Sequence, residues 1–339
     1  MSARRVRILD ATLRDGSHAI RHRFTPEQVR GIAGGLDAAG VYAIGVGHGD
    51  GLGGSSLQLG LSLHSDEELI AAAASVIEHA RLAVTLVPGI GTKDHLRRAA
   101  ALGARLVRIA THCTEADVSV QHIALARELE LEVHGDLMLP HLTDPASLAE
   151  QAAIMVGAGA EGVYLMDSAG ALLPDDVRAR ISALRARLEP DVALGMHAHD
   201  NLSLAIANTL AAVEEGATLA DGCLVGLGAG AGNARTEVIA AVLERAGFET
   251  GLDLFALQDL ADQVVRPIGA PVIDRLTATL GYAGVPSSLL LPAGRAAERF
   301  GVDAREVLVS LGRRGAVTGQ EDLVIELAGQ LARTPAGGV

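Results

Sequence analysis

The sequence predicts an α/β chain built as a (β/α)8 TIM barrel with a small all-helical C-terminal domain. Three observations carry this reading. Eight short β-type runs fall within about the first 245 residues, and helical stretches lie between them. The β-runs are nearly continuous apolar segments, as expected of a parallel sheet buried on both faces. Beyond residue 250 no convincing strand follows, and the pattern becomes purely helical.

In order, the β-runs are VRILDATL (6–13), VYAIGVGH (41–48), LAVTLVPG (82–89), RLVRIATH (105–112), LEVHGDLMLPH (131–141), EGVYLMDSAG (161–170), VALGMHAH (192–199) and ADGCLVGLG (220–228). Between them, stretches such as TPEQVRGIAGGLDAAG and DDVRARISALRARLEP place apolar residues three and four positions apart, the helical spacing. Thr25 with Gln28 and Ser65 with Glu68 each fit a capping box, and Pro26 takes the first helical position. Gly40, Gly103, Gly159 and Gly216 stand where helices must end before the next strand. A doubly wound open sheet is the structural rival, but the first strand-to-helix turn has no Gly-x-Gly-x-x-Gly. The expected division is a barrel over 1–265 and a helical domain over 266–339. The stretch LGYAGVPSS is then placed to reach back over the barrel mouth.

Composition excludes several functions. No stretch approaches eighteen uninterrupted apolar residues, which argues against a membrane span, and the N-terminus lacks the apolar core of a signal peptide. The two cysteines, Cys113 and Cys223, lie far apart and read as reduced core thiols of a cytoplasmic protein. With a formal charge of −13 and basic groups no larger than pairs such as Arg313-Arg314, neither nucleic acid nor an anionic membrane is the expected partner. Aromatic residues are too scarce, at 2% with no tryptophan, for base stacking.

A barrel's chemistry sits at the C-terminal ends of its strands. Those ends carry Arg14, Asp15 and His18 after strand 1, His48 and Asp50 after strand 2, His112 after strand 4 and His141 after strand 5. Asp167 and Ser168 follow strand 6, and His197 and His199 lie on strand 7. Half of the twelve histidines are therefore on one rim, which marks it as the functional face. Residues i and i+2 of a strand point the same way, so His197 and His199 can face one ion. Asp15 is the best-placed carboxylate for a third ligand. Two imidazoles and one carboxylate, with no cysteine nearby, favour Mn²⁺, Mg²⁺ or Co²⁺ acting as a Lewis acid over structural zinc. The plainer alternative is a pair of core histidines bonded internally.

Arg14 either orients Asp15 through an ion pair or stabilises an enolate oxyanion, for which a planar guanidinium is suited. His18 is either a loop residue or a general acid/base, histidine being the side chain that titrates near neutrality. The segment GLGAGAGN (226–233) lacks the Gly-Lys-Ser/Thr ending of a phosphate loop, and close approach of a ligand is reason enough for its glycines. Asp200 follows the histidine pair but faces the other way, so a supporting role is expected.

Together these segments resemble the 4-hydroxy-2-oxovalerate aldolases, pyruvate-forming class II aldolases of the DRE-TIM metallolyase superfamily. The likeness runs through nearly the whole chain: TLRDGSHAIRH, HGDGLGGSS, LVPGIGT, RIATHCTEADVSVQHI, GMHAHDNLSLA, AVEEGA, GAGAGN, VRPI, GYAGV and GQEDLVIELA. His-x-His recurs across the superfamily, whereas THCTEADVS and GQED are particular to the aldolase branch. The resemblance implies a Mn²⁺-type ion on Asp15, His197 and His199, chelating the carboxylate and keto oxygens of a 2-oxo acid. It implies cleavage to a pyruvate enolate stabilised by the metal and Arg14, with His18 assisting proton transfer. Ser168, His197 and Tyr282 join Arg14 as substrate-binding residues. The implied partners are a small 2-oxo acid, an aldehyde and an acylating aldehyde dehydrogenase fed through a channel, in a homo- or hetero-oligomer.

Three positions depart from the family pattern. Pro286 replaces a tyrosine implicated in taking the 4-hydroxyl proton, a role that does not pass to Tyr282. Gly45 stands where relatives carry an acidic residue, and Asp200 where close relatives often have histidine. The expectation is an aldolase adapted to a bulkier aldehyde or 2-oxo acid, working in the condensing direction. The alternatives are an acyl-CoA-condensing synthase of the same superfamily, a metal-dependent hydrolase, or a non-catalytic metal-binding scaffold for a dehydrogenase.

Overall fold

The computed structural model describes residues 4–333. Eight parallel strands close into a barrel in sequence order: β1 (Arg7–Leu13), β2 (Ala43–Val46), β3 (Arg81–Leu86), β4 (Leu106–His112), β5 (Glu132–Met138), β6 (Gly162–Asp167), β7 (Ala193–Ala198) and β8 (Leu219–Gly222). β8 pairs with β1, Arg7 opposite Leu219 and Asp10 opposite Gly222. Eight helices surround the barrel: α1 (Pro26–Ala38), α2 (Asp66–Ala74), α3 (Lys93–Ala101), α4 (Val120–Glu128), α5 (Pro145–Gly157), α6 (Pro174–Arg187), α7 (Ala205–Glu214) and α8 (Thr236–Arg245).

Local chemistry sets these boundaries. The Thr25 hydroxyl accepts from the Gln28 amide while Gln28 Oε1 accepts from the Thr25 amide, and Ser65 and Glu68 repeat the exchange. Gly40, Gly103, Gly159 and Gly216 all adopt positive φ, between 86° and 120°, which lets each helix stop and the chain re-enter the sheet. In α1, Val29, Ile32, Ala33 and Leu36 form one buried stripe against the strands. Each large aliphatic of that stripe contributes about 2 kcal/mol through burial.

The strands alternate between two environments. On β4, Val107 and Ile109 join the main core under the helices, while Leu106 packs in a separate small cluster with Leu9, Ala11, Ala43, Ala83 and Cys223 inside the barrel. Arg108 follows Leu106 by two positions and so shares its inward face. β5 (His134, Asp136), β6 (Tyr164), β7 (His197) and β8 (Asp221) add further buried polar side chains in the same phase. The barrel interior is therefore strongly polar, which the apolar reading of the runs did not anticipate.

After the barrel, α9 (Leu254–Leu260) runs into a wider π-type turn at Ala261–Val265, and Leu257, Ala261 and Val265 still pack into the barrel core. A second, separate core then forms among α10 (Arg275–Ala283), α11 (Leu290–Phe300), α12 (Ala304–Arg313) and α13 (Glu321–Arg333), centred on Leu280, Leu289, Ala293, Val307, Leu311 and Val324. These helices dock on the barrel rim. His141 Nε2 donates to the Gly284 carbonyl at 3.0 Å. Gly284 has φ +67°, and a Cβ there would lie 2.8 Å from that same nitrogen, so both conformation and space require glycine.

Candidate active site and metal centre

Closure of the barrel brings the two ends of the sequence pattern together. β7 and β1 both flank β8, so Asp15, just beyond β1, meets His197 and His199 at the end of β7. All three are buried, at 3%, 1% and 6% exposure. Asp15 Oδ2 lies 3.5 Å from His197 Nε2 and 3.8 Å from His199 Nε2, and the two nitrogens are 3.4 Å apart.

The outer nitrogens fix the tautomers. His197 Nδ1 lies 2.9 Å from Asp221 Oδ2 and His199 Nδ1 lies 3.3 Å from the Ala229 carbonyl. Both partners are acceptors, so both Nδ1 atoms donate and both Nε2 lone pairs point at one another and at Asp15. Three electron-rich donors on a common centre repel unless a cation sits between them. The protonation balance shows the same pull for positive charge, which a proton on His197 Nε2 can also supply. Burial works against charge on Asp15, but Arg14, His199 and His197 outweigh it and hold its pKa well below the carboxylate range. Burial pushes His199 down to about 4. Burial also opposes charge on His197, yet Asp15 and Asp221 hold its pKa above the ordinary value. The site attracts positive charge and presents the donor set of a divalent ion.

Arg14 completes this wall. Its Nη1 donates to Asp15 Oδ2 at 3.0 Å and to the Gly49 carbonyl at 3.2 Å, while its buried Nη2 has no partner. A buried guanidinium nitrogen on a cavity wall without an acceptor can donate to an anionic ligand. The glycine-rich segment closes over the other side: the Ala229 amide donates to Asp15 Oδ1 at 3.0 Å. A Cβ on Gly228 would lie 2.4 Å from Asn233 Nδ2 and 3.0 Å from Asp15 Oδ1, which explains a glycine there without any phosphate.

Beneath the centre lies a buried network. Arg108 bonds Asp136 Oδ1 at 3.0 Å, pairs with Asp221, and places its guanidinium 3.8 Å from the Tyr164 ring centroid. Burial disfavours charge on Asp221, but Arg108 and His197 overcome this and keep its pKa low. Asp221 therefore links the buried cation to His197. The composition of the runs had hidden it, although a lone acid inside an otherwise apolar strand must find a partner.

Other rim residues take different places. His18 and Ser168 line a cavity of about 800 Å³ together with Arg14, Asp15 and His199. Pro286, Leu291 and Arg295 also line it, so the C-terminal helices contribute to its wall. Tyr282 does not join this set. It is 77% exposed and is absent from the cavity lining. The reason is helical geometry: α10 turns Leu280 and Gly281 inward, Gly281 against Leu202 and Gly170, which leaves the next position facing solvent. Asp167 caps a turn by accepting from the Ala171 and Leu172 amides. Asp200 accepts from the Ala205 amide at the start of α7, the supporting role expected of it. His112 bonds Thr114, and His48 bonds the Gly60 carbonyl.

A carboxylate and two imidazoles at the C-terminal mouth of an eight-stranded barrel define a class of metal-site enzymes, and the HMGL-like family profile matches residues 5–264. A DmpG-like communication domain profile matches residues 271–333. The chain is 56% identical to a 4-hydroxy-2-oxovalerate aldolase of Thermomicrobium roseum, over 96% of this chain and 92% of that one. It is 51% identical to a 4-hydroxy-2-oxovalerate aldolase of Carboxydothermus hydrogenoformans, over 98% of both. The chain belongs to the 4-hydroxy-2-oxovalerate aldolase family, whose members are carbon–carbon lyases. In fold it is similar to the carboxyl transferase domain of Rhizobium etli pyruvate carboxylase solved with pyruvate, at TM-score 0.81 and 19% identity, over 97% of this chain and 61% of that one. It thus spans about three fifths of that structure. Among the described residues, no helix is long and apolar enough to cross a membrane.

Proposed function

We propose that this chain is a divalent-metal-dependent aldolase that interconverts a 4-hydroxy-2-oxo acid with pyruvate, or a related 2-oxo acid, and an aldehyde. The observation that carries the proposal is the unpartnered Arg14 Nη2 beside the Asp15–His197–His199 donor set, with Arg14, Asp15 and His199 lining a cleft at the barrel mouth. Asp15, His197 and His199 are assigned as the ligands, with Mn²⁺ as the ion and Mg²⁺ or Co²⁺ as alternatives. When bound, the ion supplies Lewis acidity at the carboxylate and keto oxygens of the 2-oxo acid.

The chain's own groups do the rest. Arg14 directs Nη2 at the keto oxygen, where negative charge develops as the C3–C4 bond breaks and its electrons move into the enolate. His18, on the cavity wall, accepts the 4-hydroxyl proton as the aldehyde leaves and returns a proton to C3. Ser168 presents its hydroxyl from the end of β6 to the bound acid. Asp221 keeps His197 in the tautomer with Nε2 free.

Pro286 lines the cavity, where a family tyrosine would occupy more space. This supports a preference for a bulkier aldehyde; the biosynthetic, condensing direction is proposed alongside it and is decided by the assay below. The match to a communication domain, and the shared cavity between barrel rim and C-terminal helices, support delivery of the aldehyde to an acylating aldehyde dehydrogenase. We divide the chain at 265/266: Val265 is the last fully buried residue of the barrel core, Ile268 still packs against it, and the second core begins at Leu276. Two unpaired, buried cysteines suit a reducing cytoplasm.

The test runs both directions with Mn²⁺ supplied. Pyruvate release from 4-hydroxy-2-oxovalerate is followed in one arm, and pyruvate is offered with small, branched and aromatic aldehydes in the other. Turnover in either arm supports the aldolase assignment, and better rates with larger aldehydes support the role given to Pro286. No turnover in either arm, with metal bound, contradicts the proposal and favours a scaffold.

A further inference from the structure

A second group of potential ligands lies on the same cavity wall and is not used by the centre described above. The turn after β1 ends at His18, and the chain then passes through Arg21 and His22 with φ of 55° and 57°. Two consecutive non-glycine residues in the left-handed region are strained, and such strain persists where the surroundings hold it. Its result is to fold His22 back into the protein, at 6% exposure, with its ring stacked 3.7 Å from that of His48 and edge-on 5.0 Å from that of His18.

Asp50 closes the group. Its Oδ2 is 4.0 Å from His18 Nε2 and 3.6 Å from His48 Nδ1, and its own amide donates to His48 Nδ1. His18, His22 and Asp50 each offer one donor atom, all within 4.8 Å of one another. The Ser17 hydroxyl lies 3.1 Å from His22 Nδ1 and the ring also bonds the Leu59 carbonyl, a bond that an ion on His22 would replace. Burial and the neighbouring His18 and His48 push His22 down to about 3, although the Leu59 carbonyl and Asp15 pull the other way, so the ring is kept neutral as a ligand must be.

We propose that His18, His22 and Asp50 form a second, inhibitory site for a borderline transition-metal ion such as Zn²⁺. Zn²⁺ is the probe because imidazole suits a borderline ion, and the Asp15–His197–His199 centre, which has the same donor types, accepts it as well. Occupation captures the imidazole that moves the substrate proton, so an ion there suppresses turnover while leaving the Asp15–His197–His199 centre intact. The inhibitory consequence rests on the role assigned to His18; the site itself does not.

Zn²⁺ stoichiometry of the full-length chain, stripped with chelator and dialysed against the metal, tests the site without reference to activity. The native chain should bind two Zn²⁺, one for each group of ligands. His22→Asn, chosen because asparagine tolerates positive φ, binds one, and so does His199→Ala. A native chain that binds a single Zn²⁺, or a His22→Asn variant that still binds two, overturns the site. With saturating Mn²⁺, Zn²⁺ should lower native turnover roughly a hundredfold, the scale of a lost general acid/base, and leave His22→Asn much less affected. Equal inhibition of both overturns the inhibitory role. Inactivity of the Mn²⁺-loaded native enzyme would count against the aldolase assignment instead, leaving the stoichiometry to decide the site.

Discussion

His197 Nδ1 and Asp221 Oδ2 stand 2.9 Å apart inside the barrel, and the same carboxylate also pairs with Arg108. This contact decides which nitrogen of His197 faces Asp15. A carboxylate behind a ligating imidazole fixes the ring's tautomer and raises its basicity.

Asp221→Asn should therefore weaken Mn²⁺ binding about 10- to 100-fold, the range for loss of such outer partners. Isothermal titration of the folded variant checks this. An unchanged affinity would remove Asp221 from the account.

Arg14→Lys should lower kcat about 10²- to 10³-fold with little effect on metal affinity, because an ammonium cannot hold Asp15 and Gly49 and still present a free donor. Steady-state kinetics beside a Mn²⁺ titration separates the two effects. A purely orienting Arg14 would instead change metal affinity and kcat together.

How far the sequence reached follows from where each signal lies. His-x-His on a strand and an aspartate after another strand on the same rim were legible because strand periodicity and barrel closure are fixed by geometry. Arg108, Asp136 and Asp221 were not, because each sits alone among apolar neighbours, and their mutual pairing exists only once β4, β5 and β8 curve around one interior. Tyr282 was misplaced for the opposite reason. Its segment matched a motif, but its direction depends on how α10 packs, and Gly281 takes the inward position.

The Arg108 network also makes a stability prediction. Arg108→Met leaves two buried carboxylates without their cation and should destabilise the fold by about 3–5 kcal/mol. Urea unfolding checks the size, and a loss below about 1 kcal/mol would mean the acids find other partners.

Asp37 gives a pH-dependent prediction away from the site. Its carboxylate accepts from the amides of Glu78, His79 and Ala80. Burial raises its pKa, but those amides outweigh burial and leave it below the ordinary value. A depressed folded pKa means the stabilisation is complete above the unfolded value near ~3.9 and is lost as pH falls through the lower, folded one. The gap in Tm between native chain and Asp37→Asn should be widest near neutrality and shrink below about pH 4. A gap independent of pH would sink this assignment.

Gly284→Ala places a methyl group 2.8 Å from His141 Nε2 at φ +67°. It should cost about 1–2 kcal/mol from backbone conformation alone and loosen the C-terminal helices from the rim. Faster hydrogen exchange across α10 checks this, and unchanged protection there would argue that the contact does not hold the domain.

The central claim is that Asp15, His197 and His199 hold the ion that makes this barrel an aldolase. The most direct measurement is the initial rate of pyruvate release from 4-hydroxy-2-oxovalerate by chelator-stripped enzyme, before and after Mn²⁺ is restored, for the native chain and His199→Ala. The account predicts that Mn²⁺ restores the native rate and that His199→Ala stays inactive at the same concentration. Full turnover by the stripped native chain, or by His199→Ala with Mn²⁺, would contradict it.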